Sequence, residues 1–220
     1  VGSSNQAGAS GQTTGTYNVS LGENALFSLE SGNHNFVVGS NAGYSLTTGE
    51  NNIIMGASAG DALTSTSNSV IIGRAAGTAI NSADANGVVL LGAYAGTALT
   101  NGQYNTAIGT SALASEDDGD FNTAIGYEAL TSQTGYSGEV GNTAIGYKAG
   151  HDTTTGTVST FIGYKAGENV TSATNNIAIG ATAFSGTSTN MSDCIAIGYQ
   201  AFYSSKGDVS GAAGSIAIGR

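Results

Sequence analysis

Twelve times along the chain a run of three mostly apolar residues ends on a glycine and gives way to a longer stretch of polar and small residues. Asn52-Ile-Ile-Met-Gly56, Ser69-Val-Ile-Ile-Gly73 and Asn122-Thr-Ala-Ile-Gly126 are examples. The closing glycines are Gly22, Gly39, Gly56, Gly73, Gly92, Gly109, Gly126, Gly146, Gly163, Gly180, Gly198 and Gly219, and seven of the eleven intervals between them are 17 residues. Three positions after each glycine stands alanine, from Ala25 to Ala201, in all eleven copies long enough to have it. The position just before the glycine is always large and apolar: Leu21, Val38, Met55, Ile72, Leu91, then isoleucine throughout. A constant period with an invariant small residue and an invariant bulky one marks a repeat array. The bulky column is expected to be core, and the alanine column to lie where stacked backbone leaves room for one methyl.

A helical hairpin repeat needs about 33 to 47 residues, so 17 is too short for one. Thirty-five glycines and only 9% charged residues also argue against helix. The β-branched runs suit short strands, and stretches such as Thr47-Thr-Gly-Glu-Asn51 and Thr153-Thr-Thr-Gly156 are turn chemistry. The expected fold is all-β: a parallel β-solenoid or β-roll of about twelve 17-residue coils. Each coil would hold a strand, a glycine corner, a short second strand through the alanine, and a return turn. Extra residues should loop out between Gly73 and Gly92, Gly126 and Gly146, and Gly180 and Gly219. Residues 1–17 read as a lead-in or partial coil and 18–220 as the repeat domain, a fragment of a longer fibre.

Strand parity puts the residues one and three before the glycine on one face and the residue between them on the other. That middle residue is large in early copies (Val37, Ile54, Ile71, Leu90) and alanine in most later ones (Ala107, Ala124, Ala144, Ala178, Ala196, Ala217). Early strands are therefore apolar on both faces, while a solenoid one coil thick has one interior. Side-by-side association is expected, as a homotrimer around an axis, with end-to-end extension into a filament as a further option. Asparagine stands four before the glycine in seven copies, including Asn105, Asn122, Asn142 and Asn176. Stacked amides bond along the axis, so this column and the glycines Gly109, Gly126, Gly146, Gly163, Gly180 and Gly198 read as structural repeat positions.

A net charge of −10 with five basic residues repels phosphate backbones and argues against nucleic acid. No run of about 18 apolar residues exists, so membrane insertion is not expected. Catalytic, nucleotide-binding, zinc and cofactor motifs are absent. His34 and His151 lie seven coils apart with no acidic or cysteine partner at repeat-consistent positions, and scattered acids do not form the paired carboxylates of a glycoside hydrolase. The expected role is non-enzymatic. Lone Cys194 reads as a packed residue. Glu116-Asp-Asp-Gly-Asp120 is the one candidate calcium loop, read here as a solvated acidic loop, since it lacks EF-hand spacing. Glycosylation sequons occur at Asn18, Asn169 and Asn190. Tyr127, Tyr147, Tyr164 and Tyr199 follow their glycines directly, with Lys148 and Lys165 beside two of them. They are candidate glycan contacts, the plainer reading being rings stacked for stability.

The phrase Asn-Thr-Ala-Ile-Gly-Tyr-x-Ala-Leu/Gly, at Asn122 to Leu130 and Asn142 to Gly150, and with Thr for Tyr at Asn105 to Leu113, resembles the repeats of phage-type tail-fibre-domain proteins. Asn176-Ile-Ala-Ile-Gly180 and Ser215-Ile-Ala-Ile-Gly219 more distantly resemble the strand motif of trimeric autotransporter adhesin heads, whose repeat is shorter. The resemblance implies a trimeric fibre on a virion or cell surface: an extracellular shaft segment projecting an attachment tip. The alternative it leaves is an adhesin module that binds glycan or matrix through the tyrosine edge.

Overall fold

A computed structural model describes residues 14–82, 85–134, 137–186, 191–203 and 213–219. Most of the expected lead-in lies outside the described residues, as do parts of the extra segments preceding Gly92, Gly146, Gly198 and Gly219. The strands in chain order are β1 Val19–Leu21, β2 Phe36–Val38, β3 Ile53–Met55, β4 Val70–Ile72, β5 Val89–Leu91, β6 Thr106–Ile108, β7 Gly119–Asp120, β8 Thr123–Ile125, β9 Gly138–Glu139, β10 Thr143–Ile145, β11 Thr160–Ile162, β12 Ile177–Ile179, β13 Ile195–Ile197 and β14 Ile216–Ile218. β7 and β9 form a two-stranded ribbon; the other twelve strands form one parallel sheet in chain order. The described chain is thus an all-β parallel solenoid of eleven turns between twelve stacked strands, with no helix. The extra residues do not shift the register: Ile71 still pairs with Leu90, Ala124 with Ala144, and Ala196 with Ala217.

Which strand face is core differs from the expectation. The middle residue points inward in every coil from Val37 to Ala196 and is fully buried. The bulky column before the glycine points outward with its same-face neighbour: Phe36 is 43% exposed, Ile53 42%, Ile145 37% and Ile179 36%. Parity explains the correction. The asparagine column shares a face with the middle residue, and those amides are inside, where they complete hydrogen bonds that water would otherwise take. Asn52 donates from Nδ2 to Asn35 Oδ1 (3.0 Å) and to the Thr66 carbonyl (2.8 Å), and its own Oδ1 accepts the Ser69 N–H. Further along, Asn122 N–H donates to Asn105 Oδ1, Asn142 N–H to Asn122 Oδ1, and Cys194 N–H to Asn176 Oδ1. Cys194 is buried in that column.

Among the described residues no second strand forms after the glycine. Two tight turns follow instead, closed in the first coil by Ala25 N–H to the Gly22 carbonyl and Leu29 N–H to the Leu26 carbonyl, each 3.3 Å. Left-handed residues two and four after the glycine, such as Asn41 (φ 56) and Gly43 (φ 55), bend the chain so that both the alanine and the later leucine face inward. The alanines are fully or nearly fully buried. At Gly39 φ is +138, and a Cβ there would sit 2.5 Å from the Gly56 carbonyl oxygen of the next coil, so the corner glycine is fixed by close stacking as well as by its dihedral.

The interior is filled by a trade within each coil. Where the middle strand residue is large, the left-handed residue four after the glycine is itself glycine: Val37 with Gly43, Ile54 with Gly60, Ile71 with Gly77, Leu90 with Gly96, Phe161 with Gly167. Where the strand residue is small, that position is Leu or Phe: Ser20 with Leu26, Ala107 with Leu113, Ala124 with Leu130, Ala178 with Phe184, Ala196 with Phe202. The coil of Gly146 has Ala144 and Gly150, both small, and borrows volume from its neighbours: a Cβ on Gly150 would meet Phe161 Cδ2 at 2.7 Å and Leu130 Cδ2 at 2.8 Å. Such a trade is what close packing requires, since a void or an overlap in any cross-section destabilises it.

Candidate functional site

Residues directly after the corner glycine stand on an outer edge of the solenoid. Tyr127, Tyr147 and Tyr164 fall on successive coils there, and their rings stack on one another, with centroids 5.5 and 5.2 Å apart and planes within 9°. Tyr199 lies two coils beyond Tyr164, with Ala181 at the intervening place, so the structure brings together three of the four candidate tyrosines and sets the fourth apart. Stacking covers both faces of Tyr147 and leaves ring edges outward, which favours the stabilising reading of this column over a platform for sugars.

Charges beside the rings are paired. Glu128 Oε2 lies 3.0 Å from Lys148 Nζ and 3.3 Å from His151 Nε2, His151 Nδ1 lies 2.6 Å from Asp152 Oδ1, and Lys165 Nζ lies 2.9 Å from Glu168. A hydrogen bond from the Tyr127 hydroxyl, with Lys148 next in effect, holds the Glu128 carboxyl below its ordinary range. The same contact raises Tyr127, and Glu128 in turn raises Lys148. His151 thus has two carboxylate neighbours, contrary to the expectation that none would stand at repeat-consistent positions. Glu128 comes from the preceding coil, because the three extra residues before Gly146 do not disturb stacking, and Asp152 is adjacent in sequence. The lysines lie 5.8 Å from the Tyr147 and Tyr164 ring centres.

The acidic run divides. Glu116 turns inward and is buried, accepting the N–H groups of Asp117 and Gly119 at Oε1. Asp118 is engaged by Thr100 and Asn101, and Asp120 by the Gln103 N–H. Among the described residues no group of His, Cys, Asp or Glu is arranged to hold a metal ion. Burial pushes the Glu116 carboxyl up, and its Oε2 lacks a hydrogen-bond partner, as do Asn122 Nδ2 and Thr153 Oγ1 nearby in the repeat order. Of the sequons, Asn18 is tied into the amide column by its bond to the Gly32 carbonyl, Asn169 is half-buried, and Asn190 lies outside the described residues.

Other ring pairs lie away from this column, among them Tyr104 with Phe121 and Phe27 with Tyr44. Phe27 and Tyr44, at the same place in consecutive coils, stack at 5.0 Å with planes 1° apart. Tyr44 borders an open depression of about 680 Å³ whose other walls include Asn24, Asn41, Asp61 and Thr78. The 17-residue offset between Phe27 and Tyr44 is the sequence signal of this pair, five residues after the corner glycines Gly22 and Gly39 rather than directly after them.

No protein-family model, curated protein or solved structure matches the chain. No helix among the described residues is long and apolar enough to cross a membrane.

Proposed function

We propose that this chain is a structural shaft segment of a homotrimeric, extracellular appendage of the tail-fibre or adhesin-like kind, non-enzymatic, which projects an attachment tip. The observation that carries the reading is the outward strip of the twelve-stranded sheet. One column, from Leu21 to Ile218, is apolar in every coil, and the column beside it is apolar towards both ends (Phe36, Ile53, Ile177, Ile195) with threonine at Thr106, Thr123, Thr143 and Thr160 between. They run for about 50 Å at the usual strand spacing. A strip that long and narrow is covered economically when identical strips pack against each other around an axis parallel to the solenoid. Continuous hydrogen bonding between coils would give such a rod stiffness and resistance to proteolysis.

Light scattering with negative-stain imaging of the same sample tests this. A trimer of the 21.6 kDa chain appearing as a short rod is the expected result, and a compact monomer with the strip exposed would overturn it. A second reading, that the shaft itself binds glycans, is favoured by the depression beside Tyr44 rather than by the self-stacked tyrosine edge.

A further inference from the structure

We propose that the depression beside Tyr44 is a binding site for a neutral hexopyranose ring; this rests on the second, glycan-binding reading and moves it to a different face. Phe27 covers one face of Tyr44 in a nearly parallel stack, so the ring is held in place before any ligand arrives. At the same place in the following coils stand Asp61 and Thr78, both shorter than tyrosine. The Tyr44 ring therefore stands over a step, 37% exposed, with its second face towards the depression. A volume of about 680 Å³ is within the usual range for small-molecule sites.

Polar groups suited to sugar hydroxyls surround the step. Asn24 Nδ2 donates to Asn41 Oδ1 at 3.0 Å, which orients the Asn41 amide with its Nδ2 donor turned away from Asn24. Asp61 supplies a carboxylate that can accept from two neighbouring hydroxyls, and Thr78 a hydroxyl that can donate or accept. An apolar ring face against Tyr44 with hydroxyls meeting a carboxylate and an amide is the complement of a pyranose. The Asp61 charge and the net charge of −10 disfavour acidic sugars and favour neutral ones. Burial raises the Asp61 carboxyl above its ordinary range, an environment that strengthens hydrogen bonds made to it.

Saturation-transfer NMR with methyl β-galactopyranoside, methyl β-glucopyranoside and methyl α-mannopyranoside tests the site in the full chain. At least one should bind with a Kd on the order of millimolar, as expected of a single shallow platform. Tyr44→Thr should weaken it at least about tenfold and Asp61→Asn several-fold. Threonine already occupies the same place at Thr78 and Thr97, so Tyr44→Thr is compatible with the fold, which circular dichroism checks. Binding unchanged by Tyr44→Thr overturns the proposal. If binding is instead lost when Tyr127, Tyr147 and Tyr164 are changed together to serine, the glycan-binding reading stands on the other edge and the step fails. Binding of p-cresol with all pyranosides silent would assign the step to aromatic guests and also overturn it. Silence of every probe would sink both glycan readings and leave the shaft reading to its own test.

Discussion

The coils from Gly39 to Gly92 and those of Gly109 and Gly126 enclose similar cross-sections by opposite means. The former place Val37, Ile54, Ile71 and Leu90 on the strand and glycine at the left-handed corner; the latter place Ala107 and Ala124 on the strand and Leu113 and Leu130 at the corner. A leucine at φ near 50 costs roughly 1–2 kcal/mol that glycine there does not. The second interior column changes in parallel, from Leu46, Leu63, Ile80 and Leu99 to Glu116, Gln133 and Thr153. Buried polar atoms without partners occur at Glu116, Asn122 and Thr153, in this second region. A solenoid stabilises coil against coil, so the comparison identifies the stretch from Gly109 to Gly163 as the weaker part of the rod.

The most direct way to break that stretch is Phe161→Ala. Phe161 is the largest fully buried side chain and fills space left by Ala144, Gly150 and Gly167 in two coils. Its loss should cost about 3–5 kcal/mol, measured by denaturant unfolding, with hydrogen exchange rising first in the coils around Gly146 and Gly163. A cost below 1 kcal/mol would mean that these coils collapse freely and that volume is not what their cores conserve.

A double-mutant cycle in the coil of Gly126 sharpens the comparison. Leu130→Gly alone should destabilise by about 2–5 kcal/mol through the cavity, less the relief of left-handed strain. Ala124→Ile alone should destabilise by about 1–3 kcal/mol by overpacking against Leu130. Together they rebuild the arrangement of Ile54 with Gly60, so the double variant should be less destabilised than the sum of the two single losses, by a favourable coupling of about 2–3 kcal/mol. Additive losses would show that the two filling schemes are not interchangeable.

The repeat period, the parallel solenoid, the role of the corner glycine and the axial bonding of asparagine were all legible in the sequence, because each rests on residues that recur seven to twelve times. The inward face is not legible from size, which favours Ile125 over Ala124 for the core although Ala124 is the buried one. The decisive clue is the parity that Ala124 shares with Asn122, whose Oδ1 accepts the Asn142 N–H of the next coil inside the solenoid. Pairing of Ala124 with Leu130, six residues on, was also written in the chain but becomes meaningful only once two tight turns replace the second strand. The step at Tyr44 depends on contrast with shorter residues, Asp61 and Thr78, in the following coils, and such a contrast leaves no recurring residue in the sequence.

The smallest expected effect separates the two regions by pH. Glu116 stands where earlier coils have Leu46 or Leu63, and burial raises its carboxyl above the ordinary 4.5, outweighing the Gly119 N–H that favours ionisation; the Asp117 charge adds to the rise. The folded chain therefore holds this proton more tightly than the unfolded chain does. By linkage the contribution is fully present below about pH 4.5 and is lost as pH rises through the folded-state value. Stability of the wild type should thus carry a component that declines as pH rises above 4.5. Glu116→Gln keeps the shape and an acceptor for the Gly119 N–H but cannot ionise, so it should remove that decline and be more stable than wild type at pH 7 while differing little at pH 4. Measured by denaturant unfolding across that range, parallel profiles for the two proteins would mean that Glu116 is solvated in the folded rod. The polar interior between Gly109 and Gly163 would then be open to water and weaker for a different reason than unpaired atoms.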